Sequence, residues 1–117
     1  MILLLSLSFR NTPQKIREYF AFDNEDKKRL LKSLCSEELI DEAVVLITCN
    51  RTEIYISSGN DKSTSSIINI ILEKCEDIIG INIDNIRDYL LFYTGKSAVS
   101  HLYKVSAGLD SMLIGED

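Results

Sequence analysis

Short unbroken apolar runs alternate along this chain with longer stretches in which apolar residues recur every three or four positions, a contrast that separates strands from helices. Met1 to Phe9 is apolar except for Ser6 and Ser8 and predicts a core strand. It has no basic residue ahead of the apolar part and no small-residue cleavage site, and it is too short to cross a bilayer. Thr12-Pro13 predicts a helix start, with threonine as N-cap and proline at the first helical position. A short stripe of Ile16, Tyr19 and Phe20 follows. A second start falls at Asp23 or Asn24, and Leu30, Leu31 and Leu34 carry a helical face to about Cys35. Ala43-Val44-Val45-Leu46-Ile47 contains no polar residue, the pattern of a strand buried on both faces. Beyond it, Thr52, Ile54 and Ile56 alternate with Glu53, Tyr55 and Ser57, which predicts a half-buried strand.

Ser57-Ser58-Gly59-Asn60-Asp61 is a turn cluster, with Asp61 or Ser63 available as the next N-cap. Ile67, Ile68, Ile71, Leu72, Cys75, Ile78 and Ile79 then define an amphipathic helix closed by Gly80. Asn82-Ile83-Asp84-Asn85 predicts another short helix start, and Tyr89 to Tyr93 a fourth strand ending at Thr94-Gly95. A last helix is expected from about Ser97 to Ala107, with Ala98, Leu102 and Val105 on one face and Gly108 as its stop. The order contains βαββαβ and predicts one α+β domain, a ferredoxin-like split βαβ unit whose antiparallel sheet is covered by helices on one face. No Gly-x-Gly-x-x-Gly turn follows a strand, so a dinucleotide fold is not encoded.

Composition narrows the function. A chain of 117 residues with 45% hydrophobic content is the size of one domain and can bury a core. A net charge of −5 argues against a protein that binds nucleic acid by phosphate neutralisation, and the one basic cluster, Lys27-Lys28-Arg29 with Lys32, is expected to be a solvated helix face. Cys35, Cys49 and Cys75 are odd in number and widely spaced, which argues against a disulfide framework or a zinc site, and a single histidine excludes a multi-histidine metal centre. A cytoplasmic protein without a membrane segment is expected.

The chemistry concentrates in Ile47-Thr48-Cys49-Asn50-Arg51-Thr52-Glu53, where a thiol, hydrogen-bonding side chains and a pair of opposite charges lie between two strands. The simplest connection is a tight antiparallel turn centred on Cys49-Asn50, with Asn50 tolerating the left-handed conformation such turns use. Arg51 is placed to hold a carboxylate or to favour a thiolate at Cys49. Two readings stay open from the residues alone: Cys49 as a nucleophile or as an inert core residue, and Arg51 as a substrate ligand or as a surface partner of Glu53. His101 is open in the same way, as an acid or base or as a residue flanking the buried stripe of the last helix.

Four stretches together resemble the N-terminal catalytic domain of the glutamyl-tRNA reductase family. They are Thr12-Pro13 with Ile16-Arg17-Glu18, Thr48 to Glu53, Ala98-Val99 to His101-Leu102, and Gly108-Leu109-Asp110-Ser111-Met112-Leu113-Ile114-Gly115-Glu116. The resemblance covers essentially the whole chain. It implies NADPH-dependent reduction of glutamyl-tRNA to glutamate 1-semialdehyde, feeding tetrapyrrole synthesis, through a thioester on Cys49. It further implies that Thr48, Asn50 and Arg51 flank the substrate, that Ser111 and Glu116 bind it, and that His101 matters for activity. Two departures stand out: Arg10-Asn11-Thr12-Pro13 replaces the family's usual Lys-Thr-Ala-Pro, and Asp117 follows Glu116 where the family continues Pro-Gln. The family's NADPH-binding and helical dimerisation domains fall outside these residues, so residues 1–117 are expected to be a catalytic domain that binds no cofactor or metal itself, with homodimerisation made elsewhere. The competing functions are a non-catalytic ferredoxin-like ligand-binding or regulatory module, and an RNA-recognition module, which would need basic and aromatic residues exposed on the sheet.

Overall fold

The computed structural model describes residues 1–59 and 64–113, with side chains through Lys104. Its strands are β1 (Ile2–Ser8), β2 (Glu42–Ile47), β3 (Arg51–Ser57) and β4 (Leu91–Thr94); its helices are α1 (Gln14–Tyr19), α2 (Asn24–Cys35), α3 (Thr64–Ile79) and α4 (Lys96–Leu113). The sheet order is β2-β3-β1-β4, and each neighbouring pair is antiparallel. Each of the two crossovers, β1 to β2 and β3 to β4, therefore skips one strand, which is the split βαβ arrangement the element order predicts.

Alternation along the strands divides the sheet into two unlike faces. Leu3, Leu5, Leu7, Ile54, Ile56 and Val45 point into the main core, where they meet Leu30 and Leu34 of α2 and Ile67, Ile71, Leu72 and Cys75 of α3. Burial alone pushes the Cys75 thiol up to about 12, which makes it an inert packing residue. The opposite face carries Leu4, Ser6, Glu53, Tyr55 and Tyr93, and α4 lies over it. Helical cover of one face thus holds for α2 and α3, and α4 adds cover on the other.

The position of α4 changes three local readings. It sits over β1 and β4 and leaves the edge strand β2 open, so Val44 is 57% exposed and the apolar run 43–47 is not buried on both faces. Leu102 points toward that open half and is exposed, whereas Ala98 and His101 face the sheet. The helix also runs through Gly108 to Leu113 instead of stopping there. A helical glycine costs only about 1 kcal/mol relative to alanine, which a helix of this length absorbs.

Local signals hold best where they involve neighbours in sequence. Asp23 caps α2 through a reciprocal box: its carboxylate accepts from the Asp26 N–H at 2.8 Å, and the Asp26 carboxylate accepts from the Asp23 N–H at 3.4 Å. Gly80 closes α3 with φ of 77°, and the Asn82 side chain caps a 3₁₀ turn over Ile83–Asn85. Gly95, at φ 56°, turns the chain directly from β4 into α4. The fourth strand begins at Leu91, two residues later than predicted, because Arg87–Tyr89 forms a second 3₁₀ turn. Thr12 is not the cap of α1: its hydroxyl donates to the Ser8 carbonyl at 2.6 Å, and Pro13 takes the N-cap position. The expected caps Asp61 and Ser63 lie outside the described residues.

Phe20 ties the short α1 to the sheet. Its ring is fully buried, and its carbonyl accepts the Thr52 hydroxyl at 2.8 Å. Phe20→Ala is expected to destabilise the domain by about 3–5 kcal/mol through lost burial and an unfilled cavity. Urea unfolding measures this, and a loss below about 1 kcal/mol would mean the site collapses without strain.

Candidate functional site

The β2–β3 turn is built to expose Cys49. Thr48 N–H donates to the Arg51 carbonyl at 2.9 Å, and the Thr48 hydroxyl oxygen accepts from the Asn50 and Arg51 amides at 3.1 and 3.2 Å. These side-chain bonds do the work expected of a left-handed residue: no described non-glycine residue has a positive φ, so Asn50 is not left-handed. Phe9 N–H donates to the Asn50 carbonyl at 2.8 Å and anchors the turn to the end of β1. Thr48 spends its acceptor capacity inward. The free thiol of Cys49 is exposed at the corner.

Next to the turn, β3 presents Arg51 and Glu53 to the face under α4. Glu53 is 0% exposed, so this pair is no surface ion pair. Three groups converge on its carboxylate: Ser6 Oγ donates to Oε2 at 2.7 Å, Tyr55 OH donates to Oε1 at 2.8 Å, and His101 Nε2 lies 2.6 Å from Oε2. Arg51 Nη1 stands 3.8 Å from Oε2. Burial of Tyr55 and the carboxylate it donates to push its hydroxyl well above the ordinary tyrosine range, against the opposing pull of Arg51. Tyr55 is thereby held as a donor. The His101 ring stacks on Tyr93, with centroids 4.7 Å apart and an interplanar angle of 21°. It also lines a cavity of about 450 Å³ together with Tyr93, Lys96, Ser97, Ser100 and Lys104.

The structure thus brings Arg51 and His101 together through Glu53, with Thr48, Cys49 and Asn50 in the adjoining turn. No described hydrogen bond joins Cys49 to His101; Arg51, two residues from Cys49, is the link, with Nη1 3.5 Å from His101 Nε2. Ser111 lies in the part of α4 whose side chains are not described, and Glu116 lies outside the described residues. Ser6, Tyr55 and Tyr93 were not singled out by the sequence reading, and Glu53 was read only as a possible surface partner of Arg51. Ser6 inside an otherwise apolar strand was the available signal, because a polar residue there needs a partner on the facing strand.

The described residues do not fit a dinucleotide. Of the described glycines only Gly80 and Gly95 have positive φ, and at both the space a Cβ would fill is open, with no cradle around a phosphate. Among the described residues no helix is long and apolar enough to cross a membrane.

Fold and site define an α+β domain of ferredoxin-like topology that presents an exposed thiol beside a buried carboxylate, histidine and arginine cluster. A model of the glutamyl-tRNAGlu reductase N-terminal domain matches residues 5–117, and the chain belongs to that family. It is 36% identical over 115 residues to the glutamyl-tRNA reductase of Clostridium novyi (strain NT), covering 97% of this chain and 26% of that protein. With the corresponding protein of Aliarcobacter butzleri (strain RM4018) it shares 40% identity over 115 residues, covering 97% and 26%. The solved glutamyl-tRNA reductase from Methanopyrus kandleri aligns with a TM-score of 0.62 at 24% identity, over 98% of this chain and 24% of that one, a likeness of fold. The chain spans about a quarter of the length of these relatives.

Proposed function

We propose that residues 1–117 form the substrate-binding, catalytic domain of a cytoplasmic glutamyl-tRNA reductase, with Cys49 as the nucleophile. The observation that carries this reading is the placement of the exposed Cys49 thiol in a rigid turn beside Arg51. Sγ attacks the ester carbonyl; the S–C bond forms as the C–O bond to the tRNA ribose breaks, and the thiol proton ends on the departing oxygen. An aminoacyl ester is already activated, so a positioned thiol needs no full triad.

The Arg51 guanidinium meets Glu53 and His101 through Nη1 alone, and its remaining donors make no hydrogen bond among the described residues. That free edge suits the side-chain carboxylate of the glutamyl group. Thr48, Asn50, Ser111 and Glu116 complete the substrate contacts in this reading, and His101 takes part in proton transfer. NADPH supplies hydride from outside these residues, yielding glutamate 1-semialdehyde for tetrapyrrole synthesis, and the homodimer contact also lies outside them.

Incubation with glutamyl-tRNA followed by intact-mass analysis is expected to show one glutamyl adduct, mapped by peptide digestion to Cys49. No adduct, or an adduct on Cys35, would refute the assignment. A non-catalytic ligand-binding module would give no adduct at all.

A further inference from the structure

We infer that Glu53 is a positioning residue that fixes the tautomer of His101, so that Nδ1 is the nitrogen that exchanges a proton with the reacting groups. This rests on the reading of Cys49 as the acylated thiol, although its spectroscopic test does not.

The assignment follows from what each partner can donate. At 2.6 Å from a carboxylate oxygen, Nε2 must carry a hydrogen, since a bare lone pair facing an acceptor would be repelled. With that hydrogen on Nε2, the Arg51 Nη1 at 3.5 Å, itself only a donor, stands beside Nε2 without bonding it. The carboxylate cannot swing away, because Ser6 holds Oε2, Tyr55 holds Oε1, and the side chain is fully buried. Nor does the imidazole flip easily, because Tyr93 stacks on one of its faces. With Nε2 committed inward, Nδ1 is left as the free lone pair of the neutral ring, and the ring borders the cavity beside α4.

The consequence for acylation is a balanced proton path. In the proposed acylation Nδ1, the ring nitrogen left free, is the group that takes up the proton released from the thiol as the S–C bond forms and gives it to the ribose oxygen as the C–O bond breaks. Between those events the ring is an imidazolium, and the Glu53 charge at Oε2 stabilises it without receiving a proton.

The protein has one histidine, so a ¹⁵N-histidine spectrum reports on His101 alone. With the ring neutral, the wild-type chain is expected to show one tautomer with the hydrogen on Nε2; a hydrogen on Nδ1, or a tautomer mixture, would overturn the inference. Glu53→Gln keeps an acceptor oxygen for Nε2 and removes the charge. It is expected to retain the tautomer and to slow single-turnover acylation of Cys49 by roughly 10²-fold, with half-saturation by glutamyl-tRNA changed less than about threefold and Cys49 alkylation by iodoacetamide unchanged. A purely structural role would lower thermal stability without slowing single-turnover acylation. Glu53→Asp, which restores the charge, is expected to recover part of the rate. Wild-type acylation in Glu53→Gln, or a loss confined to half-saturation, would overturn the inference. If the wild-type chain formed no adduct while showing the Nε2 tautomer, the acylation reading would fail and the positioning of His101 would stand.

Discussion

Cys49→Ser is expected to abolish the glutamyl adduct while leaving the urea unfolding midpoint of the domain unchanged. The turn that carries residue 49 is held by the Thr48 hydroxyl, the Thr48–Arg51 backbone bond and the Phe9–Asn50 bond, none of which uses the thiol. Serine therefore fits the same corner. What it lacks is acidity and nucleophilicity: a hydroxyl is far less acidic than a thiol and attacks an ester far more slowly, even with a histidine to take its proton. The other two cysteines do not substitute. Cys75 is buried with its thiol pushed up to about 12. Cys35 closes α2 and is exposed. Simple alkylation should accordingly label both Cys35 and Cys49 and spare Cys75, whereas glutamyl transfer should mark Cys49 alone. Adduct formation that survives Cys49→Ser would refute the nucleophile.

The boundary between what the sequence shows and what it hides follows the range of the interactions. The α2 capping box, the Gly80 stop and the hairpin around Cys49-Asn50 depend on residues a few positions apart, and the amphipathic stripe of α3 is strong enough to need no tertiary information. The strand order was reachable because βαββαβ with short connections has few solutions. Val44 could not be placed from its neighbours, because an apolar strand is the same string at the edge of a sheet as at its centre. The partner face of α4 was misread for a related reason. Its apolar positions suggested that Leu102 points inward, but the sheet face beneath it is polar at Ser6, Glu53 and Tyr55, so His101 turns inward instead. Glu53 itself alternates with Ile54 as any surface residue of a half-buried strand would. Only the helix that returns over it about fifty residues later shows that its carboxylate is enclosed.

Given glutamyl-tRNA and NADPH together, the 117-residue chain is expected to release free glutamate and to consume no NADPH. The residues assigned to acylation, from the Cys49 turn to His101 and Ser111, all lie within this chain, so the first half of the reaction should run. Hydride transfer requires the nicotinamide to be held against the thioester carbonyl, and the described glycines offer no phosphate-cradling turn with which to hold it. A thioester formed on an exposed corner is open to water, so each adduct should hydrolyse and return the thiol. The chain then behaves as a slow esterase, with an adduct that builds to a steady level and decays once the ester is exhausted. Glutamate release should vanish in Cys49→Ser and should be indifferent to NADPH at any concentration. Absorbance at the nicotinamide band, followed alongside glutamate release, checks both halves at once. Semialdehyde formation with matching NADPH loss would refute the division of labour, and a stable adduct that water does not clear would mean that the turn shields its thioester far better than it shields its thiol.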